Sequence, residues 1–337
     1  MAQVRWQGVL SFFCLSASVF IFQTKKLSAD DLNAYYARGG NKVVYQMGFL
    51  QKYGVEPTSA PFLSSKGICY VVDVNRKIRC YDKEEDELYA DQFKDYDVHA
   101  LYPPFFSPEG DVCFLADSNE VVYLSFEGTE YGKYQNTQPE FSPPVIGKDS
   151  KVYFAEAGVG YSMDKKGQID VVEDFFGDQG NRDEKLMLFP LCDPEGCLYW
   201  VVIKGQEKLV VFDPVGSSYF CPIENLTLRP GSIMISNAKD LVYITEEGNI
   251  IAVNFLEGEV QQTSFQVPGL AEIDSSGMIY FGMNGKICWV PSSLVEIEQR
   301  EVGGAVVGRP VLWANNTICF LLTNNEVCWV KHFEGFL

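Results

Sequence analysis

Histidine is almost missing from this chain of 337 residues, which holds only His99 and His332. A His-rich zinc site needs several imidazoles, and a Ser-His-Asp triad would have to be built on one of these two. No G-x-S-x-G, H-E-x-x-H or P-loop occurs, and no C-x-x-C pair suits zinc. Both histidines are therefore read as surface or loop-packing residues. Positive charge is also scarce, with 27 Lys+Arg against 45 Asp+Glu and a formal net charge of −18. Such a surface repels phosphate backbones, so nucleic acid is not expected as a partner. Beyond residue 22 no second apolar run is long enough to span a bilayer.

The first such run is short. Arg5 precedes fifteen uncharged, mostly apolar residues at 8–22, and a helix of that length covers about 22 Å of a hydrocarbon core about 30 Å thick. This suits the apolar region of a signal peptide, with Leu27-Ser28-Ala29 as the small-residue cleavage site before Asp30. Lys25 and Lys26 directly after the run leave an uncleaved anchor open. Cys14 is a poor lipidation site, because bulky Phe13 precedes it and apolar sequence continues beyond it. The expectation is a signal segment at 1–29 and one domain at 30–337. The protein would be exported to the periplasm or cell envelope, touching membrane only through an uncleaved N-terminus.

What is abundant is apolar and aromatic: 47% hydrophobic and 14% aromatic residues, a load that leans towards strands. The chain also repeats itself. PFFSPEGDVCFLADSNEVVYL (104–124) is echoed by PFLSSKGICYVVDVNRKIRCY (61–81), PLCDPEGCLYWVVIKGQEKLVVF (190–212), AEIDSSGMIYFGMNGKICWV (271–290) and PVLWANNTICFLLTNNEVCWV (310–330). Further units lie at 144–163 and 232–253. Each is a short strand, a turn, an apolar triplet, a second turn and another strand. The triplet centres are taken as Cys69, Cys113, Tyr153, Tyr199, Tyr243, Tyr280 and Cys319, in steps of 37 to 46 residues. Polar and apolar residues mix more evenly in the segments between units, such as 131–136, 168–173 and 260–266, as an outer half-exposed strand would. Seven such units predict an all-β, seven-bladed propeller of four-stranded antiparallel blades. A β-sandwich would not explain a period kept up seven times.

The last unit lacks an outer strand, since only KHFEGFL follows it, while NKVVYQMGF (41–49) has no unit of its own. Pairing Lys42–Phe49 beside Glu326–Val330 would close the ring and cover an exposed edge. Units such as ICFLLTNNEVCWV and IYFGMNGKICWV resemble the repeats of the pyrroloquinoline-quinone-like propellers over about residues 41–330. That resemblance implies a ring closed by strands from both chain ends. Its quinone dehydrogenases carry a tryptophan docking motif in each blade, which is not found here, and no cofactor is expected. Many relatives without cofactor are envelope proteins, including the propeller lipoprotein of outer-membrane assembly. The implied partners are envelope or secreted proteins.

No catalytic, cofactor-binding or metal-binding residues are assigned. Of ten cysteines, Cys192 and Cys197 flank the turn Asp193-Pro194-Glu195-Gly196 and could meet the Cα separation of about 5.5 Å that a disulfide wants; two buried thiols fit the same spacing. Cys69 and Cys80 fall opposite one another only if their turn centres on Val74-Asn75. Cys69, Cys113, Cys288, Cys319 and Cys328 read as buried hydrophobes. Asp178, Asn181 and Asp183 in the long insertion 174–185 offer oxygens, but their spacing matches no EF-hand. A solvated or partner-binding loop is expected there. The function expected is a non-enzymatic scaffold for envelope protein assembly. The alternative is a propeller enzyme, like a metal-dependent lactone hydrolase or a quinoprotein, with its site in the central channel.

Overall fold

The computed structural model describes residues 23–24, 43–46, 55–81, 87–88, 93, 95–138, 142–175, 186–204, 208–213, 217–222, 227–313, 317–324 and 326–331. These residues form a seven-bladed β-propeller in which each blade carries four antiparallel strands. Blade two shows the pattern. Its strands run outward from Phe105–Phe106 through Val112–Leu115 and Glu120–Leu124 to Glu130–Gln135. The second strand is buried at every residue, whereas the outermost mixes exposed and half-buried positions. This is the contrast between apolar triplet and mixed segment that the sequence displays.

Among the described residues the core is divided into several clusters. Apolar side chains form clusters between neighbouring blades, as where Cys113, Leu115 and Tyr123 of blade two meet Ile146, Val152 and Phe154 of blade three. The largest cluster spans the seam of the ring, bringing Trp313, Leu321 and Trp329 of blade seven against Phe62, Tyr70 and Tyr81 of blade one.

Blade seven is completed as expected. Val43–Gln46 pairs antiparallel with Glu326–Lys331, in the register Val44 to Cys328, Tyr45 to Val327 and Gln46 to Glu326. A further strand, Gln23–Thr24, pairs parallel to it on the outside. That strand falls inside the expected signal segment, so cleavage after Ala29 would remove it and still leave four strands. The rest of residues 1–29 lies outside the described residues. At the seam, Ala60 N–H donates to the Arg309 carbonyl at 3.3 Å. Gly308 makes this approach possible. Its φ is +63°, and a Cβ there would lie 2.0 Å from the Thr58 carbonyl oxygen.

Two of the seven triplet centres need correction. Counted from the turn that closes each first hairpin, the residues equivalent to Cys113, Tyr153, Tyr199, Tyr280 and Cys319 are Tyr70 and Val242, not Cys69 and Tyr243. Tyr70 pairs with Phe62 and Val242 with Met234, as Cys113 pairs with Phe105. In blade five both faces of the strand Asp240–Ile244 are buried, so the apolar run carries no mark of its phase. In blade one the slip turns the partly exposed Cys69 inward on paper, whereas Tyr70 is the buried residue.

Candidate functional site: the axial channel and its mouths

The seven innermost strands surround an axial channel that holds two cavities of about 690 and 580 Å³. The larger opens among the first-hairpin turns of blades two, three and four. The smaller opens among the loops that lead into the innermost strands. They adjoin at Ser59, Val72, Pro103, Pro104 and Arg309, which line both. Much of the wall is proline and aromatic, from LYPPFF (101–106), SPPV (142–145) and FPL (189–191). Proline suits this place because an innermost strand has a free edge towards the axis, where a missing N–H breaks no ladder bond.

One ion pair interrupts the apolar wall. Arg309 of blade seven reaches Glu272 of blade six at 3.2 Å, and both side chains are largely buried. The guanidinium is incompletely used. Its Nη1 makes a 3.4 Å contact to the Gly231 carbonyl, and its Nε has no hydrogen-bond partner. At the mouth of the smaller cavity His99 stacks on Tyr102 with ring centres 5.2 Å apart and accepts the Leu101 N–H at Nδ1. Burial pushes the imidazole below its ordinary pKa. An ion pair between Arg76 and Asp117 ties the neighbouring turns of blades one and two.

On the opposite face a device repeats in the first hairpin turns of blades four and six and in the outermost hairpin turn of blade four. In DPEGCLY (193–199), DPVGSSY (213–219) and DSSGMIY (274–280), one carboxylate oxygen of the leading Asp accepts backbone N–H groups of its own turn. The other accepts the hydroxyl of the Tyr six residues on. Tyr280 donates to Asp274 at 3.0 Å, Tyr219 to Asp213 at 3.1 Å and Tyr199 to Asp193 at 3.4 Å. Asp274 also accepts from the N–H groups of Ser276 and Met278. Burial, reinforced by Asp274, pushes the Tyr280 hydroxyl well above its ordinary value, so it stays a donor. Lysines then link blade to blade: Lys239 reaches the Tyr199 hydroxyl, Lys165 reaches Asp111 at 2.5 Å, and Lys66 lies 3.0 Å from the Phe126 ring centre.

Cys192 and Cys197 are not joined by a disulfide. Cys192 sits opposite Leu198, and Cys197 sits opposite Asp193, so the two thiols point to opposite faces of the sheet. Cys192 lies near the Ile146 carbonyl at 3.4 Å, while Lys148 approaches the Cys197 sulfur at 3.6 Å. Cys69 faces Tyr81 rather than Cys80, which faces Tyr70. Burial raises the thiols of Cys113, Cys192 and Cys319 and pushes Cys221 up to about 12, leaving them protonated near neutral pH. Among the described residues no group of three or more His, Cys, Asp and Glu could hold a metal ion. Asp178, Asn181, Asp183 and His332 lie outside those residues. Sequence reasoning missed the Arg309–Glu272 pair, which only the juxtaposition of blades six and seven creates.

No family model and no curated protein matches the chain. Solved structures do match. A streptogramin B lyase is 14% identical with a TM-score of 0.56, covering 82% of this chain and 94% of its own. BamB from Moraxella catarrhalis is 14% identical with a TM-score of 0.53, covering 82% and 85%. A catalytically inactive virginiamycin B lyase from Staphylococcus aureus with quinupristin is 16% identical with a TM-score of 0.54, covering 82% and 96%. At such identities the likeness shows the propeller fold, which these proteins put to different uses.

Proposed function

We propose that this propeller is a non-enzymatic scaffold that binds other proteins in the cell envelope. The observation that carries this reading is the outermost strand of blade three, Ile169–Asp174. All six of its residues are exposed, and Val171 is 64% exposed. Ile169, Val171 and Val172 present apolar surface on this strand, and Asp170, Glu173 and Asp174 flank them. It lies at the edge of its sheet and so offers unpaired backbone groups. An extended partner segment carrying basic side chains would complement it by adding a strand. Blade six by contrast shows Glu298–Glu301 with the sequence EQRE, and the outermost strand of blade four, Ser218–Pro222, exposes Phe220 but carries no charge to orient a basic partner. Likeness to the BamB propeller supports an envelope setting, as does the apolar N-terminal run. Affinity capture from an envelope extract tests this. The wild-type protein should retain a partner that Val171→Lys loses at unchanged melting temperature. Equal capture by both would overturn the reading.

The second reading, an enzyme acting at the channel, is favoured by the 690 Å³ cavity and by the likeness to lyases. Metal analysis of the purified protein separates the two, because a stoichiometric divalent ion would count against the scaffold.

A further inference from the structure

We infer that the axial channel is a binding site for a compact, uncharged and mainly apolar small molecule that carries a carbonyl or hydroxyl acceptor. This goes beyond the scaffold reading and does not depend on it, because the channel and the outer edge of blade three are separate surfaces.

Size comes first. A cavity of about 690 Å³ falls within the range of roughly 300–1,000 Å³ typical of sites for drug-sized ligands. All seven blades contribute to its wall, so the site exists only in the closed ring. The wall is more apolar than polar, with Phe62, Phe189, Ile233 and Val311 among its lining residues, and its charged side chains gather at the larger mouth and at the Arg309–Glu272 pair. Burying apolar ligand surface against it is favourable.

Orientation comes from Arg309. It stands where the two cavities adjoin, so a ligand entering from either mouth meets it. Its side chain is 21% exposed and retains donor capacity at Nη1, whose contact to the Gly231 carbonyl is long at 3.4 Å, while Nε is covered by protein. An acceptor on the ligand would use the Nη1 donor, since a hydrogen bond to a charged group in a poorly solvated space is a strong one.

Charge decides which acceptor. Glu272 already balances Arg309 at 3.2 Å. A ligand carboxylate or sulfonate would be held beside the Glu272 carboxylate in a poorly solvated space, a like-charge contact that costs affinity. At the larger mouth Glu109, Asp193 and Glu195 outnumber Lys148, and the net charge of −18 works in the same direction. A neutral carbonyl or hydroxyl avoids this conflict.

The test uses two fluorescent probes on the same dimethylaminonaphthalene ring, neutral 6-propionyl-2-(dimethylamino)naphthalene, whose ketone is the acceptor, and the analogue with a sulfonate in place of the propionyl group. The wild-type protein should bind the neutral probe saturably, with one site, and the sulfonate at least about tenfold more weakly. Glu272→Gln should raise affinity for the sulfonate about tenfold, because Arg309 is then unbalanced, and leave the neutral probe nearly unchanged. Val311→Trp should abolish binding of the neutral probe by filling the channel. If that variant fails to fold, the selectivity change in Glu272→Gln carries the test alone. Absence of saturable binding of the neutral probe, equal affinity for both probes, or no response to Glu272→Gln would overturn the proposal. None of these outcomes bears on partner capture at Val171.

Discussion

The indole N–H of Trp313 donates to the carbonyl of Pro61 at 2.7 Å, a buried hydrogen bond between residues 252 positions apart in sequence. It joins the innermost strand of blade seven to the start of blade one, and so lies across the seam of the ring. Trp313→Phe keeps an aromatic ring but leaves the Pro61 carbonyl without this donor. A loss of about 1–3 kcal/mol is expected, read as a lower denaturation midpoint with an unchanged denaturant slope.

Ring closure also depends on Val43–Gln46, which supplies the outermost strand of blade seven. Deleting residues 30–50 should abolish cooperative unfolding rather than trim a tail, because it exposes the edge of Glu326–Lys331. Calorimetry checks this, and a deletion that melts like the full chain would show the seam to be independent of that strand.

The turn clamps predict a graded pair of effects. Tyr280→Phe removes one hydroxyl donor to Asp274 and should cost about 1 kcal/mol. Asp274→Ala strands that hydroxyl together with the N–H groups of Ser276 and Met278, all held by a fully buried carboxylate. It should cost on the order of 3 kcal/mol. Chemical denaturation of the two variants side by side gives the comparison.

Acid sensitivity should trace partly to Glu156. Burial alone would raise its carboxyl, but hydrogen bonds from Tyr134, Thr137 and Gln138 hold it below its ordinary value. A carboxyl lowered in the folded state stabilises above its unfolded value of about 4.3, and that contribution is lost as pH falls through the lower folded value. Glu156→Gln should therefore be less stable at neutral pH and lose less on further acidification. Melting temperatures from neutral pH down to about pH 3 check the slope.

Thiol chemistry offers an independent check of register. Cys192 and Cys197 point to opposite faces of blade four, so both should be alkylated when the protein is denatured without reductant. A peptide map in which these two stay linked would contradict the register at that turn.

Much of this architecture is legible in the sequence, and the reason is physical. Turn residues and apolar triplets recur because each blade buries its inner strands on both faces, and a strand such as Val43–Gln46 stands out because it has no unit of its own. Where both faces are apolar, alternation vanishes, and so the phase is lost at Tyr243 and Val242. The Asp-x-x-x-x-x-Tyr clamps were written in DPEGCLY, DPVGSSY and DSSGMIY, but only the shared contacts give the spacing a meaning. Arg309 and Glu272 lie in different blades, and no local pattern announces that they meet.

The central claim is that the exposed edge of blade three holds a partner in the envelope. Its most direct test places a photo-crosslinking amino acid at position 171 in living cells and identifies what is captured. The account predicts one predominant envelope protein, captured through a basic, extended segment and lost when Asp170 and Glu173 are changed to Lys. Capture of no protein at this edge, or capture indifferent to those charge reversals, would contradict it.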